Sequence, residues 1–265
     1  MKSFIRIGAL ISGSGTNLEA ILKTCETGGI SGQVVFTGSD RPDAAGLKKA
    51  ESRNIPTFVT NYSRIIKDYR NNPDPKKLPE DFSLDEIRGK QSFFPKNADP
   101  ARVDTFLCTR AVAEATLLEQ MRPFCFDLLV LAGFMRNLSP YFIDRINTEP
   151  GRPRIMNIHP ALLPSFAGTD GYGDTVRYGC KVGGCTVHFI DYGEDSGPII
   201  GQRCFAIKET DTPEDVKKKG LAGEWRLYPE CIQMFARDRL RVVNTTHTLS
   251  NGKIYQRRVV KIIQE

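Results

Sequence analysis

Residues 126–132 form an almost unbroken apolar run, Phe-Asp-Leu-Leu-Val-Leu-Ala, that ends at a glycine. Such a run is typical of a parallel β-strand that is buried on both faces. Parallel strands need crossover connections, which are usually helices, so this segment favours a sheet covered by helices on both sides. We therefore expect an α/β chain with a Rossmann-like, mostly parallel sheet flanked by helices.

Other apolar segments alternate with amphipathic stretches along the chain, as expected for βαβ units. Strands are predicted near residues 4–11, 33–38, 57–59, 127–132, 154–158, 183–190 and 198–206. Helices are predicted near residues 16–27, 43–53, 102–121 and 212–236. The last two strands are expected to form a longer antiparallel pair. Ligands of such sheets bind at the carboxyl ends of the strands, which predicts a site where residues 12–17, 133–136 and 157–159 meet.

Two segments depart from this alternation. Residues 62–101 contain a proline-rich, charged stretch, 71–79, which predicts an irregular excursion that serves as a lid, an oligomer contact or a surface loop. Asn251-Gly252 lies between two β-prone segments and predicts a C-terminal hairpin near residues 240–262. Residues 1–265 are expected to form a single domain, because a chain of this length can bury one α/β core.

Composition limits the possible classes of function. The chain has 37 basic and 31 acidic residues, a net charge of +6 without a long basic run, which suits small anionic ligands and gives little support to nucleic-acid binding. Its seven cysteines lack a paired Cys-x-x-Cys spacing, which indicates reduced cytoplasmic thiols and no zinc site. No signal peptide and no apolar run of about 18 residues is found, so neither export nor membrane insertion is expected.

The strongest candidates for chemistry follow an apolar, β-branched stretch. Asn157 and His159 stand two residues apart, so both side chains leave the strand end on the same face. An amide and an imidazolium are suitable donors to a carbonyl oxygen that gains charge during acyl transfer. Asp195, in a polar loop between the last two predicted strands, is a candidate partner that keeps the imidazole charged or takes a proton through water. Asp191 and Glu194 are alternatives in the same loop.

A glycine-rich loop, residues 12–17, connects the apolar first strand to an amphipathic helix. Its glycines allow a tight turn, and the N–H groups of Gly15, Thr16 and Asn17 are expected to point at an anion from the helix N-terminus. The spacing is neither the dinucleotide-binding pattern nor the Walker pattern. On the motif alone, a plain strand-to-helix turn capped by Thr16 is an equal alternative.

The runs 157–164 (Asn-x-His-Pro-x-Leu-Leu-Pro) and 195–198 (Asp-x-Gly-Pro) together resemble the folate-dependent formyltransferases. Within them, the chain is most similar to the enzymes that formylate glycinamide ribonucleotide. Three further motifs of that family occur in the expected order, at residues 11–18, 131–136 and 224–229. The resemblance covers most of residues 5–240, and compared with the family, residues 62–101 look like an insertion.

The resemblance implies direct transfer of a formyl group from 10-formyltetrahydrofolate, the co-substrate, to the amine of glycinamide ribonucleotide in de novo purine biosynthesis, without a metal. It implies that Asn157 and His159 stabilise the oxyanion while Asp195 keeps the imidazole charged. The other implied contacts are the ribosyl phosphate with Gly15, Thr16 and Asn17, the amine region with Glu224, and the folate with Met135, Arg136, Leu138 and Arg102. The implied partners are these small molecules alone, bound by a cytoplasmic monomer or homodimer.

One segment departs from the family pattern. After Gly168 the family usually has histidine, whereas this chain has Thr169-Asp170-Gly-Tyr172-Gly-Asp174. We expect residues 168–174 to form a loop beside the site, in which Asp170 takes over part of the hydrogen bonding of the missing histidine. A solvent-facing turn is the alternative.

Three other functions stay open. Methionyl-tRNA formyltransferase shares the Asn-x-His core but is expected to carry a basic C-terminal domain, for which the residues after 207 are too few. Formyltetrahydrofolate hydrolase shares the core but is expected to have an N-terminal regulatory domain, whereas the predicted sheet begins at residue 4. The third is a non-catalytic phosphate-binding protein, because a fold alone does not establish function.

Overall fold

The main element of the fold is a seven-stranded sheet in the order β3-β2-β1-β4-β5-β6-β7. The computed structural model describes residues 4–264. The strands are β1 (Ile5–Ile11), β2 (Gly32–Ser39), β3 (Thr57–Val59), β4 (Leu128–Leu131), β5 (Ile155–His159), β6 (Val182–Phe189) and β7 (Ile199–Ala206). Strands β1 to β5 are parallel, and β6 pairs antiparallel with both β5 and β7. The predicted α/β class and the antiparallel pair are confirmed.

Helices cover both faces of this sheet. They are α1 (Thr16–Glu26), α2 (Gly46–Glu51), α3 (Tyr62–Asn71), α4 (Leu84–Lys90), α5 (Pro100–Met121), α6 (Pro140–Ile146), α7 (Gly171–Arg177) and α8 (Pro213–Ala236). One apolar cluster joins the sheet to α1, α2 and α8, and another joins it to α3, α5 and α6. Across the described part of the chain, none of the helices is long and apolar enough to cross a membrane.

Strand β4 lies within the apolar run at residues 126–132 and is buried on both faces. Leu128 and Val130 belong to the apolar cluster on one face of the sheet, and Leu129 and Leu131 belong to the cluster on the other. All four side chains are 3% exposed or less. A central parallel strand has no solvent face, so its sequence does not alternate between apolar and polar residues.

The prediction of an irregular excursion at residues 62–101 was wrong for two parts of that segment. It contains α3 and α4, and the proline-rich stretch between them has a single 3₁₀ turn, Pro75–Lys77. Ile87 of α4 packs with Val103 and Leu107 of α5 in a third apolar cluster. Tyr62, Ile65, Ile66 and Tyr69 lie on one face of α3, so its sequence carries a helical pattern that the prediction missed. The shorter α4 is specified more strongly by its packing on α5.

The predicted C-terminal hairpin is confirmed. Strands β8 (Leu240–Thr248) and β9 (Ile254–Ile262) pair antiparallel in a separate two-stranded sheet. Gly252 in the turn has a φ of 77°, in the left-handed region that favours glycine. The Asn-Gly signal therefore marked the turn at the correct position.

A buried carboxylate on α5, Glu114, fixes the start of α6. Its oxygens accept hydrogen bonds from the N–H of Ser139, at 2.7 Å, and from the Ser139 hydroxyl. Both residues are fully buried and Ser139 is the N-cap of α6, so Glu114 satisfies a helix N–H that water cannot reach. Burial raises the pKa of Glu114 to about 7, although the hydrogen bonds from Ser139 act in the opposite direction.

Glu114→Gln should remove a pH dependence of stability. The folded-state pKa, about 7, exceeds the ordinary value of 4.5, so the bound proton stabilises the folded protein fully below pH 4.5, and this contribution is lost as the pH rises through 7. Urea denaturation between about pH 5 and 7.5 should show the unfolding free energy of the wild type falling by roughly 2–3 kcal/mol more than that of the variant. Parallel curves for the two proteins would contradict this role of Glu114.

Candidate active site

The carboxyl ends of β4 and β5 open on one cavity of about 620 Å³, which Asn17 of α1 also lines. Strands β1 and β4 are neighbours whose following connections leave in opposite directions, which is where open α/β sheets bind ligands. The cavity lining includes most of the residues singled out in the sequence: Asn17, Met135, Arg136, Leu138, Asn157, His159, Asp195 and Glu224.

His159, at the end of β5, has an acceptor at each ring nitrogen. Its Nδ1 lies 3.2 Å from Oδ2 of Asp195, and its Nε2 lies 2.8 Å from the carbonyl oxygen of Phe166. The doubly protonated, cationic ring satisfies both neighbours at once. His159 is 2% exposed, so its contact with the Asp195 carboxylate lies away from bulk water. The two alternatives to Asp195 have other hydrogen-bond partners. Asp191 accepts from the Ser196 hydroxyl, and Glu194 accepts from the Asn137 amide.

Asp195 is the centre of the cluster. Its backbone has a φ of 49°, a left-handed conformation that Asp adopts more readily than most residues. Its carboxylate accepts a hydrogen bond from the N–H of Gly168 at 2.9 Å and lies 3.5 Å from Nε2 of His188. Burial alone would raise the pKa of Asp195, but its contacts with His188, His159 and Gly168 outweigh burial and hold the pKa below its ordinary value. Asp195 is therefore ionised at neutral pH.

His188 is a site residue that the sequence did not reveal. It is 0% exposed and pairs with Asn157 across the antiparallel ladder of β5 and β6. Its Nδ1 lies 3.0 Å from the carbonyl oxygen of Phe189, and its Nε2 lies 3.2 Å from Nδ2 of Asn157. A neutral His188 accepts from Asn157, whereas a charged His188 donates to Asp195. The second N–H of the Asn157 amide is left for a ligand.

The loop between β1 and α1 has the geometry expected for an anion. Gly15, the N-cap of α1, has a φ of 66°, and a Cβ there would lie 2.7 Å from Cα of Gly46, so the position requires glycine. The N–H groups of Thr16 and Asn17 begin the helix, where no intrahelical acceptor exists. A second cavity of about 470 Å³ opens at this loop. Nζ of Lys49 lies 3.3 Å from the carbonyl oxygen of Gly15 and adds positive charge nearby.

Glu224 on α8 has a donor at each carboxylate oxygen. Nδ2 of Asn17 donates to Oε2, and the Tyr172 hydroxyl donates to Oε1, both at 2.6 Å. Burial raises the pKa of Glu224, while these two hydrogen bonds oppose the rise. Among the residues that the structure describes, buried Oδ1 of Asn17 has no hydrogen-bond partner, although the residue itself borders the cavity.

Comparison with known proteins decides the family. The family model for formyl transferases matches residues 5–232. The chain belongs to the formyl transferase family. It is 30% identical over 237 residues to the phosphoribosylglycinamide formyltransferase of Haemophilus influenzae, which covers 89% of this chain and 90% of that protein. A crystal structure of glycinamide ribonucleotide transformylase 1 from Symbiobacterium toebii is similar with a TM-score of 0.69 and 35% identity, covering 98% of this chain and 95% of that chain.

A much longer relative is also similar. The human trifunctional purine biosynthetic protein adenosine-3 is 30% identical over 253 residues, which cover 96% of this chain. This formyl transferase chain spans 20% of the length of that protein. The similarity therefore concerns one segment of the trifunctional protein.

The residues expected at the folate have different positions. Leu138 is buried in the cavity wall, and Met135, also in the lining, is 58% exposed. Arg136 lines the cavity, but its Nε donates to Oδ2 of buried Asp40 at 2.5 Å. Arg102 lies on the first turn of α5, where its guanidinium stacks on a phenylalanine ring 5.8 Å away. This position does not support the expected contact between Arg102 and the folate.

The segment that departs from the family pattern is not a loop throughout, because α7 begins at Gly171. The carboxylate of Asp170 lies in the cavity lining and forms an ion pair with Arg177 at 2.9 Å, in place of the expected contact with His159. Tyr172 is the residue of this segment that enters the buried network, since it is 7% exposed and donates to Glu224. Within this segment, Tyr172 is therefore the residue that contacts Glu224.

Replacing Tyr172 by Phe should raise the pKa of Glu224 further. The hydroxyl stabilises the charged carboxylate, and a hydrogen bond to a charged group contributes roughly 1.5–3 kcal/mol, so its loss favours the protonated acid. The phenylalanine ring keeps the packing against Gly220 and Phe205. NMR titration of the ¹³C-labelled carboxyl measures the change, with Tyr178→Phe, at an 82% exposed tyrosine, as the control. An unchanged pKa in Tyr172→Phe would show that the hydroxyl does not stabilise the carboxylate.

Proposed function

We propose that this protein transfers the formyl group of 10-formyltetrahydrofolate to the amine of glycinamide ribonucleotide, a step of purine biosynthesis. The observation that carries the proposal is the convergence of Asn157, His159 and Asp195 in one cavity with Asn17 of the anion-binding loop. Acyl transfer needs donors for a developing oxyanion and an acceptor for a proton, and this cluster supplies both. The names of the Haemophilus influenzae and Symbiobacterium toebii relatives state the same reaction.

The acceptor substrate occupies the side of the cavity near α1 and α8. The N–H groups of Gly15, Thr16 and Asn17 bind the ribosyl phosphate, and the α1 dipole favours its negative charge. Glu224, which lines the cavity, accepts a hydrogen bond from the amine region of the substrate. The glycinamide amine is thereby directed towards Asn157.

The formyl donor occupies the side of the cavity near β4. Leu138 and Met135 supply apolar surface for the pterin ring, and the volume of about 620 Å³ lies in the range of pockets that bind molecules of this size. Arg136 also lines this side, but Asp40 already neutralises its charge. Apolar contact, more than charge, therefore fixes the pterin.

The amine attacks the formyl carbon directly, without a nucleophilic side chain, and gives a tetrahedral intermediate. The bond between this carbon and N10 of the folate then breaks, and N10 takes up a proton as tetrahydrofolate leaves. The free N–H of Asn157 donates to the carbonyl oxygen as it becomes negative, and the charge of His159 stabilises the same oxygen. The carbonyl oxygen of Phe166 shares the Nε2–H of His159, so His159 acts by its charge and by a shared donor. Asp195 keeps the imidazole charged and receives the amine proton through water. Each oxyanion donor contributes roughly a 100- to 1000-fold rate increase.

We propose further that the protein acts in the cytoplasm as a monomer or homodimer, without a nucleic-acid partner. Both substrates are small anionic molecules, which suits the mild net charge of +6. All seven cysteines are free thiols, the state typical of a reducing compartment.

The His159–Asp195 pair should behave as one catalytic unit. His159→Ala and Asp195→Asn should each lower kcat by about 100- to 1000-fold, while the KM for glycinamide ribonucleotide changes little. Because the carboxylate acts mainly through the imidazole, the double variant should be no more than a few-fold slower than the slower single variant. Tetrahydrofolate formation in the presence of both substrates, followed by absorbance, measures these rates.

The control for this cycle is His247→Ala, which removes an exposed histidine on β8 and should leave kcat unchanged. Wild-type turnover in either single variant would contradict the proposed mechanism. So would rate losses that multiply in the double variant, since they would indicate two independent roles.

A further inference from the structure

The segment 62–101 returns to the loop that carries Asp195. The N–H of Ser92 donates to the carbonyl oxygen of Tyr192 at 2.8 Å. Next to it, Nζ of Lys90 lies 2.7 Å from Asp144, and the Tyr192 hydroxyl donates to the same carboxylate. These contacts join α4, α6 and the loop after β6, so the end of the segment has a defined position.

This anchored end brings Phe93 to the cavity. Phe93 is a lining residue of the active-site cavity, together with Leu138, Ile190 and Gly193. The ring is half-buried and has one aromatic neighbour, Phe106, at a centroid distance of 6.0 Å. Leu138 follows β4, and Ile190, after β6, packs in the same apolar cluster, so Phe93 adjoins the side of the cavity where the formyl donor is proposed to bind.

The next residue, Phe94, has a different role. Its ring packs on Phe106 at 5.2 Å and under the guanidinium of Arg102, as part of the apolar cluster between α4 and α5. The two adjacent phenylalanines therefore have different environments. Phe94 packs the segment against α5, whereas Phe93 lines the cavity. A half-buried aromatic ring at a cavity wall gains contact area when a flat ligand covers it.

We propose that Phe93 is a binding residue for the folate co-substrate, and that it forms an aromatic wall against the planar rings of 10-formyltetrahydrofolate. This inference rests on the proposed function, since it takes the co-substrate from there. It assigns to segment 62–101 a part in co-substrate recognition, in addition to its packing on α5. The amine nucleotide, at the other side of the cavity, does not contact this wall.

Phe93→Ala should raise the KM for 10-formyltetrahydrofolate about tenfold, because removal of one aromatic stacking partner costs on the order of 1–2 kcal/mol, a factor of about 5 to 30. The affinity for tetrahydrofolate, measured by calorimetry, should fall by the same factor. The kcat and the KM for glycinamide ribonucleotide should stay within about twofold. Phe93→Tyr, which keeps the ring, should retain the affinity.

Phe94→Ala is the matched control, because it removes the neighbouring ring from the packing cluster. It should lower the midpoint of urea unfolding but leave the KM for the folate unchanged.

Phe93→Leu keeps apolar bulk against Phe106 without the flat face, so it tests the role of the ring even if Phe93→Ala fails to fold. It should show a folate KM at least threefold above that of the wild type.

The two proposals fail in different ways. An active wild type with an unchanged folate KM in both Phe93→Ala and Phe93→Leu would overturn the role of Phe93 alone. Equal increases in KM for Phe93→Ala and Phe94→Ala would also overturn it, since the cause would be loss of the packed segment. A wild type that neither transfers the formyl group nor binds tetrahydrofolate would overturn the proposed function itself.

Discussion

The contact of Asp195 with two buried histidines is the interaction on which the site depends. Its carboxylate lies 3.2 Å from His159 and 3.5 Å from His188, and it accepts from the N–H of Gly168. These partners come from β5, β6 and the segment between them, so one carboxylate connects three parts of the chain. A buried charge without such partners would strongly destabilise the fold, which means that the same contacts serve stability and chemistry.

A second buried carboxylate, Glu224, lies in a contrasting environment. It accepts hydrogen bonds from a neutral amide and a phenol, and burial raises its pKa, whereas charged and hydrogen-bonding neighbours lower the pKa of Asp195. Environments that shift two carboxyl groups in opposite directions suit them to different tasks. Asp195 stays ionised beside the imidazoles, and Glu224 stays sensitive to the donors around it. Tyr172 is one of those donors, so the departure from the family pattern changes the environment of Glu224.

Local sequence patterns predicted the elements that carry the site. Period-two spacing placed Asn157 and His159 on one face of β5, and the apolar run at 126–132 identified the central strand. The glycine-rich loop also lies where it was expected, with a left-handed Gly15 at the start of α1. These features depend on neighbouring residues, which a single sequence displays directly.

Contacts between distant segments could not be predicted in the same way. His188 meets Asn157 only through the register of β5 and β6, and Tyr172 meets Glu224 across 52 positions of the chain. Arg136 was expected at the folate, yet buried Asp40 takes its Nε–H. The short, polar α4 was missed for a related reason, because its packing on α5 specifies it. Each of these depends on tertiary partners that periodicity does not encode.

The fate of the formyl carbon tests the central claim most directly. The wild-type protein is incubated with 10-formyltetrahydrofolate labelled with ¹³C in the formyl group, with and without glycinamide ribonucleotide, and the products are followed by NMR. The mechanism predicts that the label appears in the formamide of the nucleotide product, and that almost no labelled formate forms when the nucleotide is absent. Labelled formate released at the same rate with and without the nucleotide would contradict it, because the acceptor of the formyl group would then be water.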